Sequence, residues 1–291
     1  MIKLIVSDMD GTLLNEEIEL SDENLAAIKD AQAHGIHFAI ATGRDYQTGY
    51  TIVQERGINC SFFGLNGAIG YDEEGNRLYT KNLKPSTVQT LLHVLDREDV
   101  HVNIMTDKGV YSTNYERERE YLRHVLSDIN KTLAPERLEE KLDLFLEQHN
   151  ITYLDNFQEL IRRDDEEILK VSAQTTAGEE MLTELKDTLL QAADDIVITA
   201  SSAMNLEINH KDATKGFAVA TYARELGIDH TEVLTIGDNI NDLSMLEWAE
   251  HGTAMANAAP EAKETAAYET GSNSEHGVAQ IINRVLAGDI Y

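Results

Sequence analysis

The chain sets short, continuous apolar runs against longer segments in which apolar residues recur at helical spacing. Leu4-Ile5-Val6, His37-Phe38-Ala39-Ile40-Ala41, Phe62-Phe63-Gly64-Leu65 and Val233-Leu234-Thr235-Ile236 have the length of strands. Runs that do not alternate predict strands covered on both faces, as in a parallel sheet flanked by helices. After the first run, Ser21-Asp22-Glu23 makes a helix start, with Leu25, Ile28 and Ala31 on one face and Gly35 as a stop. Strand, helix, strand, each strand ending in a polar loop, predicts an α/β fold that gathers ligands at the carboxyl ends of its strands. Ile69-Gly70-Tyr71 and Arg77-Leu78-Tyr79 flank Asp72-Glu73-Glu74-Gly75-Asn76 and predict a hairpin. An apolar-periodic helix follows Lys215 through Leu226, and a final helix runs from His276 to Leu286.

Between about residues 82 and 207 this pattern gives way to highly charged helices, Glu116–Leu126 and Pro135–Gln148, interleaved with short strands at His101–Met105, Val110–Thr113, Leu169–Ala173, Ile196–Thr199 and Leu206–Ile208. The change in pattern predicts an inserted α+β domain over 82–207, leaving 1–81 and 208–291 to one core. Charge runs such as Asp164-Asp165-Glu166-Glu167 read as solvated surface.

Hydrophobic residues make up 42% of the chain, which excludes general disorder. No apolar stretch approaches the length of a membrane span and no charged-then-apolar signal segment opens the sequence, so a soluble cytoplasmic protein is expected. Against 52 acidic residues stand 24 basic ones, a formal charge of -28 that argues against nucleic acid or an anionic membrane as partner. An anionic ligand would need a locally positive site, which a divalent cation and one or two basic side chains can supply. Cys60, the single cysteine, follows Gly57-Ile58-Asn59 and precedes Ser61-Phe62-Phe63, which suits a buried structural thiol.

The candidate chemistry stands at the strand ends. The first run ends in Asp8-Met9-Asp10-Gly11-Thr12, and side chains at i and i+2 of an extended segment share a direction. Two crowded carboxylates repel unless a cation lies between them or one holds a proton. A calcium loop starting at Asp8 would place Glu19 at its twelfth position, but it needs glycine where Leu13 stands and a helix before it. A plain acidic turn is the simpler alternative. The second run ends in Thr42-Gly43-Arg44, where a hydroxyl and neighbouring amides could meet an anion, or which is simply a turn. Arg44 suits either a substrate contact or a surface carboxylate, and Asn66-Gly67-Ala68 suits either a site wall or a common turn. Lys215 opens a helix, where the dipole disfavours a cation, which suits either another use for it or simply a solvated lysine. The fourth run delivers Gly237-Asp238-Asn239-Ile240-Asn241-Asp242, whose last residue could equally serve as a helix N-cap.

Asp8-Met9-Asp10-Gly11-Thr12-Leu13, Ala41-Thr42-Gly43-Arg44, Lys215 and Gly237-Asp238-Asn239-Ile240-Asn241-Asp242 resemble, in this order, the four motifs of the haloacid dehalogenase (HAD) superfamily. The last of them and Asn66-Gly67-Ala68 resemble its Cof-type branch in particular. The resemblance implies a Rossmann-like parallel-sheet HAD core with an inserted α+β cap of type IIB, since the insertion lies between the second and third motifs. Asn15–Ile36 holds barely one helix and leaves no room for an early cap.

By the same resemblance, Asp8 is the nucleophile and Asp10 the acid/base. Gly11 and the other amides after Asp8, with Thr42, Gly43, Arg44, Asn66, Lys215 and Asn241, would bind phosphate or substrate. Mg2+ would be held by Asp8, Asp238 and the backbone carbonyl of Asp10, with Asp242 orienting Lys215 or supporting the metal shell. The activity implied is Mg-dependent hydrolysis of small phosphorylated metabolites, sugar phosphates or similar, through an aspartyl-phosphate. The alternatives are a sugar phosphomutase of the phosphomannomutase type and a phosphometabolite binder without turnover. Asp10 counts against the binder, because binding needs no general acid, and a hydrolytic dehalogenase needs neither Asp10 nor a metal. The implied partner is a small-molecule phosphate ester, and homo-oligomerisation is left open. Asn103, Tyr111, Asn114 and Tyr153 are the candidates for substrate selection in the inserted domain.

Overall fold

A computed structural model of the chain describes residues 1–129, 135–200 and 204–290. Two compact units result, Met1–Lys81 with Asp212–Tyr291, and Asn82–Lys211.

The first unit begins with β1 (Leu4–Ser7), α1 (Asp22–Ala33), β2 (His37–Ala41), α2 (Tyr46–Gln54), β3 (Ser61–Gly64), β4 (Ile69–Tyr71) and β5 (Arg77–Thr80). Ser21 is the N-cap of α1 and accepts from the Asn24 amide, while Asp22 and Glu23 sit in the first turn where the helix dipole favours acids. Asp45 does the same for α2, accepting from the Thr48 amide.

The second unit comprises α3 (Pro85–Leu95), β6 (His101–Thr106), β7 (Val110–Ser112), α4 (Tyr115–Ile129), α5 (Pro135–His149), β8 (Thr152–Tyr153), α6 (Gln158–Ile161), β9 (Ile168–Gln174), α7 (Glu179–Ala192), β10 (Ile196–Thr199) and β11 (Asn205–His210). Its sheet runs β10-β11-β9-β6-β7-β8, antiparallel except between β7 and β8. Ile104, Val171 and Ile208 from one sheet face pack with Val88 and Leu91 of α3 and Leu185 and Leu189 of α7. In-register neighbours on the other face, Asn103, Ser172 and Glu207, are polar and buried, and Lys170 reaches Glu207 at 2.9 Å.

This unit extends past the expected boundary at 207 because β11 keeps its ladder with β9, pairing Ile208 with Val171 and Asn209 with Lys170. Residues 130–134 and 201–203 of the expected inserted domain lie outside the described residues. The acidic run at 164–167 is not uniformly solvated: the Glu166 side chain is turned inward, accepts from Thr106 Oγ1 at 2.7 Å and pairs with Arg163 at 3.1 Å. Of the selection candidates, Tyr111 lies in the apolar cluster, Asn114 accepts from the Arg117 amide at the start of α4, Asn103 donates to Glu118, and Tyr153 is exposed edge-on to Tyr115.

The first unit resumes with α8 (Lys215–Leu226), β12 (Val233–Gly237), α9 (Leu243–Trp248), β13 (His251–Ala254), α10 (Pro260–Thr265), β14 (Tyr268–Glu269) and α11 (Gly277–Leu286). Among the described residues its sheet has the order β14-β13-β12-β1-β2-β3-β4-β5. It is parallel from β14 to β3, and β4 and β5 close the edge as the hairpin. Alternate residues of the central strands feed two cores, as a doubly covered sheet requires. Ile5, Phe38 and Ile236 pack with Ile28 of α1 and Ile281 of α11, while Leu4, Val6, Ala39 and Val233 pack with Val219 of α8 and Met245 of α9. Cys60 is a buried free thiol. No helix among the described residues is long and apolar enough to cross a membrane.

Candidate active site

Because β12, β1, β2 and β3 are parallel neighbours, the residues after them leave the sheet along one edge. Asp8, Thr42, Asn66 and Asp238 all stand there. The ladder itself fixes the exit points: the Asp8 amide donates to the Ile236 carbonyl at 2.9 Å, and the Thr42 amide to that of Phe63 at 2.9 Å.

Helix α8 brings in the cation. Thr214 is its N-cap, accepting from the Phe217 amide, and sets Lys215 in the first turn, fully buried. An ammonium removed from water at the positive end of a helix needs strong compensation. It has it: Nζ lies 2.6 Å from Asp8 Oδ1 and 2.6 Å from Asp242 Oδ1. The other oxygen of Asp242 accepts from the amides of Asp238 and Asn239, both at 2.9 Å, so Asp242 shapes the loop after β12 while holding Lys215. Thr12 donates to Asp238 Oδ1 at 2.7 Å. Gly11 lies between these groups at φ +78°, where a Cβ would fall 2.5 Å from Asp238 Oδ2, so glycine serves both the turn and the close approach.

Oxygens of Asp8, Asp238 and Asp242 lie within 4.8 Å of one another. One ammonium cannot neutralise three carboxylates. Burial pushes the Asp8 carboxyl well above the usual range, Lys215 opposes this, and Asp242 and Asp238 add to it. Burial and the Asp242 charge push Asp238 up to about 6, with the Thr12 hydroxyl pulling the other way. Burial works against the Lys215 ammonium, but Asp242 and Asp8 outweigh it and hold the lysine protonated. A partly buried group of oxygen donors short of positive charge is what a hard divalent cation fits. Both oxygens of Asp242 are already engaged, which leaves Asp8 and Asp238 as the carboxylates best placed to be ligands.

Asp10 does not join this group through its carboxylate. Arg44 takes both oxygens, Nε to Oδ2 at 2.7 Å and Nη2 to Oδ1 at 2.6 Å, and the Asp10 side chain is 51% exposed. Arg44, expected to meet either substrate or a surface carboxylate, therefore meets the second aspartate of the first motif. Thr42 Oγ1 accepts from the Arg44 amide at 3.2 Å, which leaves the hydroxyl proton for another acceptor, and Gly43 lies between them on the same loop. Asn66 is buried and accepts from Asn241 Nδ2 at 3.2 Å. Two contributors were not singled out from sequence. Thr12 had a signal, a hydroxyl inside the first motif, whereas Asn257, which donates to the Gly11 carbonyl at 2.8 Å, has none in its neighbours.

The family model of the haloacid dehalogenase-like hydrolases matches residues 5–282. The chain belongs to this family. Phosphatase YwpJ of Bacillus subtilis is 31% identical to it over 98% of this chain and 100% of the relative. The 5-amino-6-(5-phospho-D-ribitylamino)uracil phosphatase YcsE of the same organism is 32% identical over 97% of this chain and 94% of the relative. A solved haloacid dehalogenase-like hydrolase from B. subtilis superposes with a TM-score of 0.87 at 29% identity, covering 98% of this chain and 100% of that one. The chain is thus a HAD-type phosphatase, an enzyme of a family whose relatives act on small phosphate esters.

Proposed function

We propose that this HAD-type enzyme is a Mg-dependent phosphatase of small phosphorylated metabolites, working by phosphoryl transfer to Asp8. The observation that carries the reading is the buried Lys215 bridging Asp8 and Asp242 beside Asp238, a charge arrangement completed by a divalent cation and a phosphate. A carboxylate can attack a phosphate monoester only where charge on both partners is offset. Mg2+ held by Asp8, Asp238 and the Asp10 carbonyl would supply part of that compensation as a hard Lewis acid.

The protein groups divide the remaining work. An Asp8 carboxylate oxygen attacks phosphorus while the bond from phosphorus to the ester oxygen breaks, and Asp10 gives its proton to the departing alkoxide. Water then attacks the aspartyl-phosphate, Asp10 takes the water proton, and the bond from phosphorus to Asp8 breaks. Lys215, the Thr42 hydroxyl, Asn241 and the amides near Gly11 hold the phosphoryl oxygens, which positions the group and stabilises its charge. Arg44 holds both Asp10 oxygens through Nε and Nη2 in this structure, so the carboxyl group has to leave Arg44 before it can carry the proton. The inserted unit, Asn82–Lys211, is read as the cap that selects the alcohol part of the ester. The phosphoribityl substrate named for YcsE supports a polyol or sugar phosphate as the class.

The test is hydrolysis of p-nitrophenyl phosphate and of a panel of phosphorylated metabolites, with and without Mg2+. Asp8→Asn and Asp238→Ala should abolish turnover and leave the far-UV circular dichroism unchanged. Full activity in purified Asp8→Asn would end the proposal.

A further inference from the structure

Leu65, Asn66 and Gly67 all have positive φ, at 51°, 61° and 90°, directly after β3. Such backbone persists only where its surroundings over-determine it. Here the contacts reach three parts of the site. The Asn66 amide donates to the Thr42 carbonyl at 2.8 Å, and the Leu65 amide to that of Arg44 at 2.9 Å, tying the turn to the loop after β2. Asn66 Oδ1 accepts from Asn241 Nδ2 at 3.2 Å, tying it to the loop after β12. At Gly67 a Cβ would overlap the carbonyl oxygen of Thr214, the residue before Lys215. Asn66 itself is 2% exposed.

We infer that Asn66 is a positioning residue, which holds Asn241 and the Thr42 loop in the mutual geometry that a phosphoryl group requires before one arrives. This rests on the reading of Thr42 and Asn241 as phosphate ligands. The side-chain amide of Asn241 has two N–H groups. Giving one to Asn66 fixes the plane of the amide and leaves the other to point at a phosphoryl oxygen. Asparagine suits position 66 twice: it tolerates the left-handed backbone better than other side chains, and its short carbonyl reaches across to the neighbouring loop. The left-handed turn, which an Asn-Gly pair commonly marks, is here a tie between two ligand loops rather than a bare reversal.

The test is a double-mutant cycle of Asn66→Gly and Asn241→Ala, read by orthovanadate inhibition and by kcat and KM for p-nitrophenyl phosphate with Mg2+. Glycine accepts the left-handed backbone and keeps the amide bond to Thr42, so Asn66→Gly removes the side-chain tie to Asn241 while the turn keeps its backbone conformation. Each single variant should weaken vanadate inhibition about tenfold, the worth of one hydrogen bond, and lower kcat/KM by a similar factor. In the Asn241→Ala background, Asn66→Gly should add nothing. Multiplying losses in the double variant would make Asn66 a ligand in its own right and overturn the inference. So would an Asn66→Gly enzyme that melts earlier but keeps its kinetics and vanadate affinity, because that is a merely structural residue. An effect of Asn241→Ala without one of Asn66→Gly refutes the positioning role alone, whereas no effect of Asn241→Ala refutes the phosphate role of Asn241 on which it rests.

Discussion

Lys215→Met separates the charge balance of the site from its shape. Methionine keeps most of the unbranched stem and removes the ammonium that lies 2.6 Å from both Asp8 and Asp242. Lys215 is fully buried, so water cannot take over its role. Breaking a buried ion pair by removing one partner costs about 3–5 kcal/mol. At about 2–4 °C per kcal/mol for a domain of this size, the metal-free variant should melt about 6–20 °C below the wild type near pH 8. The direction with pH comes from the carboxyls. Asp8 and Asp238 are already pushed up, by burial first and by their acidic neighbours. Removing Lys215 pushes them further. A carboxyl whose folded pKa is raised contributes stability below its unfolded pKa and loses it as pH rises through the folded value, so the penalty should grow from about pH 5 to about pH 8. Thermal unfolding followed by far-UV circular dichroism in EDTA reads this directly, and excess Mg2+ near pH 8 should return part of the loss. A variant that melts with the wild type near pH 8, or loses more near pH 5, would mean that the Lys215 ammonium does not offset the charge of Asp8 and Asp242.

Two further outcomes concern the metal. Thr12→Val deletes the hydroxyl that donates to Asp238 Oδ1 and should weaken Mg2+ binding by calorimetry about tenfold, the lower range for a residue that orients a ligand, while Thr12→Ser stays close to the wild type. Asp238, pushed up to about 6, must lose its proton to bind a cation, so the Mg2+-induced rise in melting temperature should be small at lower pH and grow as pH passes through that value. A shift independent of pH across that range would place the metal elsewhere.

The parts of this molecule that could be read from its sequence are those encoded locally. Leu4-Ile5-Val6 and Val233-Leu234-Thr235-Ile236 are apolar on both faces, so they had to be central strands, and the loop after a central parallel strand lies at the ligand edge. Lys215 drew notice because the helix dipole opposes it. The features that escaped depend on side-chain reach between distant segments. Arg44 and Asp10 are 34 residues apart, and only the orientation of the first loop decides whether the guanidinium meets an aspartate or a ligand. Thr12 and Asp238 are 226 apart. The end of the inserted unit was expected too early because Asn209 and His210 carry no apolar signal, although they extend the β11 ladder. Glu166 looked solvated in its acidic run, yet Thr106 and Arg163 draw it inward.

The proposed mechanism passes phosphorus through the Asp8 carboxylate on its way to water. Hydrolysis of a phosphorothioate monoester made chiral at phosphorus by sulfur and two oxygen isotopes, carried out in water carrying the third stable isotope, reads the number of displacements at phosphorus. Two successive in-line displacements, by Asp8 and then by water, predict retention of configuration in the inorganic thiophosphate released. Inversion would mean that water attacks the ester directly and that no phosphorylated Asp8 forms.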